Sequence, residues 1–217
     1  SLELTAATFA AKAEPEDAAR RYQAVAALCA AHADQAKLGD CGRVHASYAN
    51  LLTRLDRLDE AARALELADA HQRRLFGDLS LEVGSVAVAR GNLESRRGRL
   101  PEALAAYDIA LANYDAGKLD DQRRGRLALG RAQVQLKLKQ TAAAHTSIKA
   151  AVTNLDRYLI QDPRTRADAQ AWLAVIASAD GATAEAQRAT RDAVALDREV
   201  AARLPAPERE TFLELAD

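Results

Sequence analysis

The chain has 217 residues, 30 basic against 31 acidic side chains, and a composition that is 49% hydrophobic but only 4% aromatic. That length buries about 70% of the unfolded surface without staples, and charges so evenly interspersed exclude bulk attraction to nucleic acid or to an anionic membrane, which takes a strong field of one sign. Alanine dominates the apolar set, Gly and Pro are few and β-branched runs are missing, so the residues call for helices and not for sheet.

No stretch approaches the ~20 apolar residues needed to span a bilayer, and no signal peptide is visible. The two cysteines, Cys29 and Cys41, read as free thiols in a reducing, cytoplasmic setting. Methionine is absent even at position 1, which reads as a piece excised from a larger protein.

In chain order, Ala18 or Ala19 with Tyr22 and Ala26 reads as the second helix of a half-repeat over about 1–38. Four landmarks then recur at 42 residues: Asn50 and Asn92, Arg54 and Arg96, Leu58 and Leu100, Ala61 and Ala103. A fixed period of this size marks a stack of supersecondary units, none of which can bury its apolar face alone. The spacing predicts helix pairs over about 41–77, 80–117, 120–160 and 163–204, with a capping helix over about 207–217. Residues 1–217 are thus expected to form one all-α array. The second pair carries the stripe Leu104, Tyr107, Ala110, Leu111 and Tyr114. In the third, Gly130 is set in the place of Gly91 and Ala143 in that of Ala103, and Lys139-Gln140 replaces the turn glycine. Asp162 before Pro163 reads as an N-cap with a first-turn proline, and Gly181 as the turn of the fourth pair. Trp172 reads as core.

Gly91, Gly98, Leu100, Ala103, Tyr107 and Ala110 resemble the signature of a tetratricopeptide repeat. The 42-residue period and the Leu75-Phe76-Gly77-Asp78 linker are similar to the kinesin-light-chain subtype. The resemblance implies a right-handed superhelical solenoid of antiparallel helix pairs, a protein-interaction scaffold without enzymatic activity or cofactor, and a place in the regulatory part of a larger bacterial signalling protein. It also implies that the first helix of each pair lines a concave surface. There, Arg43, Asn50 and Arg54 are followed by Asn92 and Arg96, then by Arg124, Arg131 and Gln135. These residues are expected to form a basic groove, free of acidic residues in those repeats, for a protein or an acidic extended peptide. The asparagine amides would grip its backbone as donor and acceptor. A small-ligand or signal-peptide sensor and a metal-stabilised domain are the other readings.

Isolated glycines in a helical pattern are no phosphate loop, and carboxylates three or four residues from an arginine are ordinary helix-surface pairs. His71 and His145 show no partner in the sequence. An antiparallel pairing about Lys37 would set Cys29 opposite His45 and His32 opposite Cys41. Two thiolates and two imidazoles could make a tetrahedral zinc set, although free, non-ligating side chains are the expected state.

Overall fold

A computed structural model describes residues 15–31, 41–159 and 162–205, and every regular element among them is an α-helix. The chain divides into two compact units after Leu119. The first contains α1 (Pro15–Ala31), α2 (Cys41–Arg54), α3 (Leu58–Phe76), α4 (Leu81–Arg96) and α5 (Leu100–Ala116). The second contains α6 (Gln122–Lys137), α7 (Thr141–Tyr158), α8 (Pro163–Ala179) and α9 (Thr183–Ala202). The expected capping helix lies outside the described residues. In the first unit α2 pairs with α3 and α4 with α5, α1 rests on α2, and α3 and α2 both pack on α4. In the second, α6 pairs with α7 and α8 with α9, and α7 joins the two pairs.

One turn builds all four pairs. Asp56, Gly98, Lys139 and Gly181 have φ of 61°, 76°, 60° and 79°. In each case the next amide reaches back over the helix end: Arg57 N–H donates to Leu52 O at 2.9 Å, Arg99 to Glu94 at 2.9 Å, Gln140 to Gln135 at 2.9 Å and Ala182 to Ala177 at 2.8 Å. The left-handed residue donates to a carbonyl three positions before it, at 2.9 to 3.2 Å. These bonds satisfy carbonyls that the helix end would leave bare, and they turn the chain back at once. The second helix of each pair accordingly has no side-chain N-cap. Helices entered from longer linkers do: Ser80, Asp121 and Asp162 each accept a bond from a first-turn amide. Lys139 therefore takes the turn conformation as Gly98 does, and the replaced glycine leaves the geometry intact.

Counting from these turns puts the repeat in register. Ala61, Ala103, Ala144 and Ala186 each follow the turn residue by five positions, and all are buried. Ala144, not Ala143, is therefore the third-pair equivalent; Ala143 is exposed. Gly42, Gly84, Gly125 and Ala167 precede the turn by fourteen positions. A methyl added at Gly84 would lie 2.8 Å from Tyr114, and one at Gly125 2.7 Å from Leu155. Seven positions before the turn stand Ala49, Gly91 and Ala132; an added methyl at Gly91 would meet the Tyr107 ring at 2.4 Å. Small residues thus set the approach of each pair, and large ones fill what remains: Leu52, Leu65 and Leu93 in the first unit, Ile148 and Ile176 in the second. Trp172 packs, half-buried, against the second core.

The pairing of α1 with α2 differs from the expected one. The Tyr22 and Tyr48 rings stack with centroids 6.1 Å apart. Cys29 lies seven residues after Tyr22 and Cys41 seven before Tyr48, so the cysteines face each other in the same antiparallel register. They form a disulfide with Cα atoms 5.7 Å apart. The free thiols expected from the sequence are thus oxidised, and the zinc set is lost because thiolate ligands are no longer available. His32 lies outside the described residues. His45 is buried, and burial together with the nearby His71 lowers its pKa below the ordinary 6.5.

Two outcomes follow from these features. Lys139→Gly should raise stability by about 0.5–1 kcal/mol, because an L-residue is strained at positive φ, while Gly98→Ala should cost about 1 kcal/mol by the same argument, both read from urea denaturation. For His45 the folded state favours the neutral ring, so the unfolded chain binds the proton more readily. Its contribution to stability is complete above about pH 6.5 and is lost as pH falls below that value. Thermal midpoints between pH 7.5 and 5 should fall less steeply in His45→Gln than in the parent.

Candidate protein-binding face

The first helices of the two pairs in the first unit, α2 and α4, are neighbours. Arg43, Asn50 and Arg54 are exposed on α2, and Asn92 and Arg96 on α4. Asn50 and Asn92 stand six positions before their turns, and Arg54 and Arg96 two. The amides and the cations therefore form two rungs of one ladder across this face.

The two asparagines are held differently. Buried Tyr107 donates its hydroxyl to Asn92 Oδ1 at 2.7 Å, and burial pushes the phenol above its ordinary range. The Asn92 carbonyl is thus committed, and its amide nitrogen is the group left for a ligand. In the first pair the position of Tyr107 is taken by Leu65, which has no hydroxyl to give Asn50.

The rung of cations is not free of acid. Arg96 Nε lies 3.2 Å from Asp56 Oδ1, an exposed ion pair reaching back to the preceding turn. Such a pair contributes little in water and yields readily to another carboxylate. Its neighbour Arg97 is better buried and donates to Leu58 O at 3.1 Å and Asp59 Oδ1 at 2.8 Å. Adjacent arginines therefore do different work: Arg97 ties two turns together, and Arg96 stands over the face.

In the second unit the expected residues share a face of α6, but it is the side turned toward the core. Leu127 is 2% exposed and Gln135 4% exposed, so both belong to the core side of α6. Gln135 Oε1 accepts a bond from Ser147 Oγ at 2.7 Å and so joins α6 to α7. Arg124 and Arg131 are half-buried. Setting Gly130 on Gly91 shifts the register by two residues, which rotates a helix by about 200°. Ala132 is the true counterpart. At the positions of Arg43, Asn50 and Arg54, α6 carries Arg126, Gln133 and Lys137, a cation, an amide and a cation. In α8 the same positions hold Asp168, Val175 and Ala179, which do not repeat this chemistry. Val175 is 53% exposed. Burial, and then Asp197 on the facing helix, raise the Asp168 carboxyl.

His145 has two partners that sequence reading missed because they come from the next pair. Nδ1 lies 2.7 Å from Asp180 Oδ2 and Nε2 2.7 Å from Glu185 Oε2. Burial works to raise the Glu185 carboxyl, but hydrogen bonds from His145 and Lys149 outweigh it and hold the group low. This cluster fastens α7 to the turn and start of α9. Among the described residues no three His, Cys, Asp or Glu side chains are arranged to hold a metal, and no helix is long and apolar enough to cross a membrane.

Solved structures share this architecture. The chain resembles BtubC (BKLC) from P. vanneervenii at 16% identity with a TM-score of 0.73, over 95% of this chain and 82% of that one. It also resembles "kinesin light chain nearly identical TPR-like repeats" from Podosopora anserina, at 17% identity with TM-scores of 0.69 and 0.67 in two structures, over 92% of this chain and 94% of each. No family model matches the chain, and no curated protein does. The fold is that of tetratricopeptide-like helix pairs.

Tyr107→Phe should cost about 1 kcal/mol, the net worth of one hydrogen bond, and should leave the circular dichroism spectrum helical. Urea denaturation reads the first quantity.

Proposed function

We propose that the α2–α4 face binds an extended, acidic segment of a partner protein, and that the chain is a binding module and not an enzyme. The reading rests on Asn50 and Asn92 standing in register beside Arg54 and Arg96. An extended chain exposes its amides and carbonyls at regular intervals, which a row of carboxamides can meet. Asn92 supplies a donor held in place by Tyr107, and Asn50 supplies both kinds of group. Arg54 and Arg96 offer planar forks that suit carboxylates, with Arg43 at the other end of the face. A ligand carboxylate would displace Asp56 from Arg96 at little cost. Arg126, Gln133 and Lys137 repeat the same chemistry on α6 in the second unit.

Calorimetry with a glutamate-rich peptide of extended sequence tests the reading. Affinity should fall at least tenfold in Arg54→Glu/Arg96→Glu, and it should weaken as salt rises, because exposed charges are screened beyond about 8 Å at physiological ionic strength. Unchanged affinity in the double variant would place the binding surface elsewhere.

A further inference from the structure

Helix α1 packs on α2. Among its described side chains Ala18, Ala19, Tyr22 and Cys29 are buried and Val25 is partly buried against the same core, whereas Leu28 is 51% exposed. The Tyr22 ring stacks on Tyr48, and Glu16 reaches Arg57 at 3.6 Å from an exposed position. Val44, Tyr48 and Leu52 of α2 belong to the same apolar cluster as Ala18, Ala19 and Tyr22.

The disulfide adds a covalent hold to this packing. It lies two helical turns from the tyrosine stack, so the two contacts pin α1 at separated points and fix its direction. Cys29 and Cys41 are 8% and 3% exposed, and burial shields the bond from attacking thiolates, as befits a structural bridge and not a labile one. We propose that the Cys29–Cys41 bond is a structural lock that fixes α1 on α2, and that the chain therefore reaches this state only in a compartment where thiols are oxidised. Its formation joins the two sulfurs and releases two electrons and two protons. These pass to an oxidant of the disulfide class, which is reduced to two thiols.

The full chain, produced separately in the cytosol and in the periplasm of a bacterial host, tests this. Samples are acid-quenched, denatured and treated with a maleimide, and labels are counted by intact mass. Two labels are expected on the cytosolic product and none on the periplasmic one. Two labels on the periplasmic product would remove the lock, and an unlabelled cytosolic product would remove its dependence on compartment. Amide hydrogen exchange then reads the hold on α1: residues 15–31 should exchange at least tenfold faster in Cys29→Ser/Cys41→Ser, with residues 122–202 unchanged. The oxidised parent, folded first and then reduced with a phosphine, gives the same comparison where the double variant does not fold. Equal exchange across residues 15–31 before and after reduction would overturn the proposal.

Discussion

The left-handed residue after the first helix of each pair governs this molecule. One positive φ, with two amide bonds back over the helix end, returns the chain within three residues and fixes where the second helix starts. Everything downstream is counted from that point: the alanine five positions on, the small residue fourteen positions back, the amide six back. Glycine reaches the required conformation without strain, but the requirement is on the backbone. Asp56 and Lys139 meet it at a cost that the packing of their pairs offsets. The period therefore persists where its most visible letter has changed.

This explains which parts of the fold were legible. Between Asn50 and Ala103 the turn, the alanine and the asparagine recur at a common spacing, and the helices stand where that spacing puts them. In the third pair the turn glycine is missing, and Gly130 offers a false landmark two residues from Ala132. Small residues of both kinds occur at that crossing, glycine where the Tyr107 ring comes close to Gly91 and alanine at Ala49 and Ala132, so the identity of the letter misled where its size would not have. The cost fell on the binding face, because two residues of slip exchange the outer side of a helix for its core. Gln135 was lost to the interior in that way. The partners of His145 were invisible for a different reason: they are 35 and 40 residues away and meet it only through the stacking of pairs.

The side chains at these positions change from pair to pair in a graded way. Two pairs carry an asparagine and an arginine, the third a glutamine and a lysine, and the fourth a valine and an alanine. The framework beneath is the same in all four, so the proposed binding chemistry is written on positions that the fold leaves unconstrained. Only Asn92 belongs to both layers, since the buried hydroxyl of Tyr107 holds it from below. It is the residue at which packing meets the proposed recognition, through different atoms of one amide.

The bond between Cys29 and Cys41 also alters the connectivity of the molecule. With the backbone between them it closes a covalent ring, so the chain is no longer a simple thread at that place. Proteolysis at one peptide bond within the ring would leave α1 attached through sulfur, and the nicked molecule would be heavier by one water but stay in one piece. The same cut beyond the ring, between α1 and the N-terminus, would release a fragment. Tolerance to cleavage is thus distributed along the chain by the position of two sulfur atoms.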